Sequence, residues 1–239
     1  MNQKQRGFSL IEILVALSVF LVIVLFTYKI FNFNKKIFTK VKNEEEIIEY
    51  GSSALEKIRI DVLQAGYKLI VPIKLGVLKG LEVKDNQLLI TKGDSLSFLI
   101  KDASAGEKEI SVNNSQKFKK RSKAVIANQK QGEIITITQI NQDTFKISDT
   151  PLSFNYKKEE TSIILLKEIR YFLNQSEKIL RRKVNRSPAQ PLIEDVETFN
   201  VHYNLEKSLV SVSFLLKNNQ EKVFETFIVP KNIALTNLQ

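Results

Sequence analysis

The residues with the clearest chemical meaning lie at the start of the chain. A six-residue polar leader carrying Lys4 and Arg6 ends at Gly7 and is followed by Phe8-Ser9-Leu10-Ile11-Glu12. From there the chain is almost wholly apolar to Phe26. A carboxylate so early in an apolar run is costly in lipid, about 2.5–3.5 kcal/mol at the bilayer centre on insertion scales. Cleavage after Gly7 would offset that cost, because the new ammonium on Phe8 could pair with Glu12 of a neighbouring copy. Gly7 suits a scissile position, since a residue without Cβ lets an active site approach the backbone. Two plainer readings compete. A secretory signal peptide also has a cationic start, but its apolar stretch is shorter and ends in a small-x-small cleavage site, which is not found near Phe26. A plain signal anchor fits the length and leaves both Glu12 and the Gly7–Phe8 junction unexplained.

Catalytic chemistry finds little support elsewhere, and an enzyme is not expected. There is no cysteine, a single histidine, His202, and no G-x-S-x-G or glycine-rich phosphate loop, so the usual nucleophile and base pairings are absent. His202 alternates with Val201 and Tyr203 as a strand residue would, which favours a surface or satisfied histidine. Asn141-Gln142-Asp143 reads as a turn and lacks the spacing of a calcium loop, so neither a metal nor a cofactor is expected. Two basic clusters remain. Lys117, Lys119, Lys120, Arg121 and Lys123 surround Phe118, and Arg181, Arg182, Lys183 and Arg186 form a second group. Phosphate contact with base stacking on the aromatic is the chemistry such a group could do. A solvated loop and a polar strand face are the plainer account, and nucleic acid is not expected as a partner.

The elements that must position these residues follow from composition and periodicity. At 239 residues the chain can hold a membrane helix and one globular domain of about 170 residues. Without cysteine, an exported domain must rely on packing and sheet hydrogen bonds. The net charge of +10 is spread along the chain and becomes +8 once Lys4 and Arg6 are removed; it bears on solubility and non-specific association, not on fold. Phe8 to Tyr28 would span about 31 Å as a helix, close to a hydrocarbon core. Lys4 and Arg6 place the short N-terminal side in the cytoplasm.

Beyond the apolar run, Phe33, Ile37, Val41, Ile48, Leu55, Ile58, Val62 and Ala65 form a stripe at helical spacing, with no proline before Pro72. One helix from Phe8 to Ala65 is expected, closed by Gly66 as a C-cap glycine, with Gly51-Ser52-Ser53 a candidate bend. Glu44-Glu45-Glu46 would support it through Lys40 or Lys42. After Gly66 the pattern shifts to β-type runs. Strands are expected at Leu88–Thr91, Ser95–Ile100, Glu133–Ile140, Phe145–Ser148, Ile163–Leu173, Lys178–Val184, Val196–Tyr203, Leu209–Leu216 and Val223–Val229. Turn clusters separate them at Asp85-Asn86, Lys92-Gly93-Asp94 and Asn218-Asn219, and Ser111 to Lys123 reads as a polar loop. The expected parts are a leader (1–7), a transmembrane and assembly helix (8–28), an amphipathic continuation (29–66) and a β-rich globular domain (67–239).

The string RGFSLIEILVAL closely resembles the cleavage and methylation segment of type IV prepilins and type II secretion pseudopilins. DVLQAGY (Asp61 to Tyr67) resembles the helix end of PilW-like minor pilins and is similar to that of the type II secretion minor pseudopilin J. Ile169-Arg170-Tyr171-Phe172-Leu173, Leu180-Arg181-Arg182, Leu192 to Tyr203, the Val210 to Leu216 strand and Phe224 to Asn232 follow in the same order. The resemblance covers the leader helix and about 65 C-terminal residues, and hardly touches residues 68–160. It implies the pilin fold: α+β, a long N-terminal transmembrane helix whose C-terminal half packs on an antiparallel β-rich domain. Prepilin peptidase would cut after Gly7 and methylate Phe8, and Glu12 would orient the subunit in assembly. A minor pilin of this kind helps initiate, assemble or cap a type IV pilus; the alternatives are a type II secretion minor pseudopilin or a DNA-binding or adhesive pilus-tip subunit in DNA uptake. Implied partners are other minor pilins, the major pilin, the inner-membrane assembly platform and the lipid bilayer. Implied placement is a single pass of the inner membrane with a periplasmic domain, reaching the pilus surface after assembly. Two departures from many pilins stand out: no disulfide loop, and no proline within the apolar half-helix.

Overall fold

The helical stripe forms one helix, α1 (Leu10–Leu63), ending two residues before the expected Ala65. The computed structural model describes residues 9–147, 150–218 and 220–237. Lys4, Arg6, Gly7, Phe8, Ser148 and Asn219, all given roles above, lie outside the described residues. The chain divides into a unit of Met1–Tyr50 and a unit of Gly51–Gln239. In the first unit every side chain from Ser9 to Phe31 is exposed. So continuous an apolar surface requires lipid or other helices to cover it, and among the described residues α1 is the helix long and apolar enough to cross a membrane.

The second unit continues with α2 (Ile70–Lys74), β1 (Leu81–Lys84), β2 (Gln87–Phe98), β3 (Glu109–Ser111), β4 (Lys123–Ala127), β5 (Gly132–Asn141) and β6 (Thr144–Ile147). It then runs through β7 (Ser162–Asn174), β8 (Ile179–Val184), β9 (Gln190–Ile193), β10 (Val196–Asn204), β11 (Leu209–Asn218), β12 (Gln220–Ile228) and α3 (Lys231–Asn237). The larger sheet is ordered β1-β2-β7-β4-β5-β6-β3, with β8 on β7 and β9 on β8; the smaller is β10-β11-β12. Every strand pair is antiparallel. This is the expected α+β class.

Asp85 and Asn86 both adopt positive φ, 50° and 56°, as a two-residue hairpin turn between β1 and β2 requires. The Lys92-Gly93-Asp94 cluster, in contrast, is not a turn. β2 runs through it as one strand, with a bulge between Gly93 and Ser95 opposite β7. The Gly93 N–H donates to the Tyr67 carbonyl at 2.8 Å, an approach that a side chain at 93 would obstruct. β1, β3, β4 and β9 also form where no strand was expected. Of these, β4 is a short run buried at four of its five positions with no alternation to reveal it.

Gly66 stands just past α1 with φ of 71°, the left-handed conformation that favours glycine at a helix end. Its N–H donates to the Thr91 carbonyl at 2.9 Å, not back into the helix. The carbonyls of Leu63 and Ala65 are met instead by the Asn232 side-chain amide of α3, at 3.5 and 3.1 Å. The helix end is thereby tied to both β2 and the closing helix.

Gly51 is explained by packing and not by a bend. It is buried within α1, and a Cβ there would collide with the ring of Phe224, which itself stacks on Phe214 with centroids 5.3 Å apart. Alanine would gain about 1 kcal/mol of helix propensity and lose more to overpacking, typically 1–3 kcal/mol. Gly51→Ala is therefore expected to lower the melting temperature of the full chain in detergent, and adding Phe224→Leu should recover it. A more stable Gly51→Ala would refute this account.

Candidate functional site

Ser9 precedes α1, and Glu12 sits in its first turn. The Glu12 and Ile13 N–H groups donate to the Ser9 carbonyl at 3.0 and 3.3 Å. In return the Glu12 Oε2 accepts the Ser9 N–H at 3.1 Å, while Ser9 Oγ accepts from the Ile11 N–H at 3.4 Å. Ser-x-x-Glu is thus a capping box that satisfies donors a helix start leaves orphaned. This role was not read from the sequence. It holds the carboxylate against the backbone N–H of Ser9, and Glu12 forms no ion pair among the described residues.

Residues 2–28 match the prokaryotic N-terminal methylation motif. The match spans the Gly7–Phe8 junction and Glu12, and it supports a type IV pilin-like prepilin with an N-terminal apolar helix, for which processing by a prepilin peptidase and assembly with other pilins are implied. No curated protein matches the chain. Among solved structures, a tailspike of an Acinetobacter baumannii bacteriophage, in complex with capsular saccharide, is 17% identical over 34% of this chain and 15% of its own, with a TM-score of 0.29. That likeness is too low to carry an argument.

A second site joins segments far apart in the chain. Asp61, on the buried face of α1 and 3% exposed, meets Tyr171 of β7 and Arg182 of β8. The Tyr171 hydroxyl donates to Asp61 Oδ2 at 2.6 Å. The Arg182 Nε donates to the same oxygen at 2.8 Å and to the Tyr171 hydroxyl at 3.1 Å, and Nη2 lies 2.8 Å from Oδ2. Burial, with Asp61 accepting its proton, pushes the Tyr171 hydroxyl well above the ordinary tyrosine range. Such a trio does no evident chemistry; it fixes the helix against two strands, because each polar group would be unsatisfied in any other register. The sequence held one overlooked signal. Asp61 lies three residues after Ile58 and one before Val62, so it falls within the apolar stripe, where an unpaired carboxylate is not tolerated.

The basic residues divide. Phe118 is 4% exposed and packs on Phe145 with centroids 4.8 Å apart, so it offers no face to a base, and the stacking that this cluster could have done is not available at this ring. Arg182 is consumed by Asp61, and Arg181 pairs with Glu177. Lys117, Lys119, Lys120, Arg121 and Lys123 line an open trough of about 760 Å³ together with Arg186. β7 brings these loops together: its one edge pairs with β4 up to Leu165 and with β8 from Ile169, and the trough lies at the gap between. Glu168 pins that gap, its N–H donating to Asn185 Oδ1 at 2.7 Å and its carboxylate taking Lys123 Nζ at 2.8 Å. His202 is exposed on β10, opposite Ser211, and Gln142-Asp143 forms the β5–β6 turn.

Proposed function

We propose that this chain is a minor pilin of the PilW-like type, taking part in initiation, assembly or capping of a type IV pilus. On this reading prepilin peptidase cuts after Gly7 and methylates Phe8, and the domain after α1 lies on the periplasmic side. The observation that carries the reading is the methylation motif over residues 2–28, followed by a helix whose apolar surface is bare and must be covered by lipid before assembly and by neighbouring helices after it. Support for the PilW-like type comes from three of the segments that carry that resemblance. DVLQAGY, Ile169 to Leu173 and Leu180-Arg181-Arg182 supply Asp61, Tyr171 and Arg182, the members of one buried contact.

Glu12 provides the test. Removing its carboxylate takes a charge out of lipid, so insertion is expected to be as good or better, while incorporation into pili should fall severely. In a strain lacking the native copy, wild type should restore pili and Glu12→Ala should not, with equal amounts of both chains in the membrane fraction. Normal piliation with Glu12→Ala would remove the charge-pair argument. Loss of protein secretion, with pili intact, in the strain lacking the native copy would assign the chain to a type II secretion system instead.

A further inference from the structure

The basic trough is longer than its main cavity. A second cavity of about 400 Å³ shares Lys123, Leu166, Glu168 and Asn185 with it and adds Lys79, Arg170 and Lys183 to the cationic rim. Its floor is aliphatic at one end, where Leu78, Leu89 and Ile134 lie; Leu165 and Leu166, at the other end, alternate across β7 and are buried in two separate cores. No aromatic side chain lines either cavity. The cation-bearing loop is held firmly. Phe118 anchors it in the core, the Arg121 N–H donates to the Ile137 carbonyl at 2.7 Å, and the Ile137 N–H donates to the Ser122 carbonyl at 2.9 Å.

A phosphodiester backbone would use the cations and gain nothing from an aliphatic floor; single strands would also want an aromatic platform. A protein segment that combines acidic with aliphatic residues matches both features. This chain carries one, Glu44-Glu45-Glu46-Ile47-Ile48-Glu49-Tyr50 on α1. Ile48 and Tyr50 are 49% and 61% exposed. Glu44 and Glu46 are held only by exposed i,i+4 pairs with Lys40 and Lys42, at 4.0 and 3.8 Å, which exchange at little cost. Glu45 and Glu49 form no ion pair among the described residues.

We propose that the trough is a docking site for the Glu44–Tyr50 segment of a second copy of this chain. Each exposed pair contributes little, so association in dilute solution is weak and is lost with added salt. Two copies anchored in one membrane meet at a far higher effective concentration. The inference stands apart from the pilus reading, since it requires only that copies share a membrane.

The absence of cysteine makes the test clean. Glu45→Cys and Arg186→Cys are placed in separate full-length copies with different tags, co-expressed in membranes and oxidised with diamide. The mixed pair is expected to form a disulfide-linked dimer at least fivefold more abundant than either variant alone, or than Arg186→Cys paired with Glu206→Cys. Adding Lys119→Glu and Lys120→Glu to the Arg186→Cys copy should abolish that excess. Adding Glu44→Lys and Glu49→Lys to the other copy should restore it, which a misfolded variant could not do. Cross-linking no greater than the Glu206 control, or unchanged by charge reversal, overturns the proposal. A third arm titrates the full chain in detergent into a labelled 20-bp DNA duplex; submicromolar binding near physiological salt, lost with Lys119→Gln and Lys120→Gln, would also overturn it and give the trough to nucleic acid.

Discussion

Replacing Gly7 with valine is expected to leave the chain in the membrane fraction at full length, with its leader attached and almost no mature product. The peptidase must bring its catalytic groups against the carbonyl between residues 7 and 8, and a glycine there presents bare backbone. Valine puts two methyl groups on Cβ beside the scissile bond and stiffens the side chain as well. The block is therefore steric and should be nearly complete, while insertion, which depends on the apolar run and on Lys4 and Arg6, should be unaffected. Intact-mass measurement of membrane extracts separates the outcomes. Mature chain from Gly7→Val in normal yield, or a wild-type chain beginning elsewhere than Phe8, would sink the processing assignment.

Asp61→Ala is expected to produce the largest loss of stability of any single change in the domain. The substitution removes the common acceptor of Tyr171 and Arg182 and leaves Arg182, whose side chain is 17% exposed, without its counter-charge. Breaking a buried pair in this way costs about 3–5 kcal/mol. For a domain of this size that lowers Tm by on the order of 10 °C, measurable by circular dichroism of the full chain in detergent. Replacing Asp61 and Arg182 with leucine and Tyr171 with phenylalanine together should recover most of the loss, because apolar side chains remove the desolvation cost with the attraction and leave no orphaned hydroxyl. A fall in Tm of a degree or two for Asp61→Ala would show that the trio does not clamp the helix. The same contact sets an alkaline limit. The fold keeps the Tyr171 hydroxyl protonated where the unfolded chain ionises it, so stability is intact below about pH 10 and declines as pH rises beyond it. Tyr156, raised by burial and by Glu133, contributes a second decline. Tyr171→Phe should be less stable at neutral pH yet show a shallower loss above pH 10.

The N-terminal motif and the long helix were legible because their signals are local. Gly7, Phe8 and Glu12 are neighbours in the chain, helical periodicity repeats every three or four residues, and Gly66 and Asp85-Asn86 announce backbone conformations that few residues tolerate. Glu12 shows where local reading was incomplete: Ser9 three residues earlier makes it half of a capping box, a relation visible in the sequence and passed over in favour of a partner in another copy. The Lys92-Gly93-Asp94 cluster shows the opposite failure. Its composition suggests a turn, and only the register of β2 against β7, with the Tyr67 carbonyl seated on Gly93, makes it a bulge. The sequence by itself determined the anchor, the long helix, the β-rich class and the presence of two basic clusters. Tertiary structure decided what those parts do to one another. Asp61 finds partners 110 and 121 residues away, Phe118 turns into the core, and Arg186 joins the Lys117 to Lys123 loop because β7 passes from β4 to β8 along one edge. Periodicity and propensity report what each residue prefers beside its chain neighbours; which buried charge meets which cation depends on strand order and register, and these are set by the packing of the whole domain.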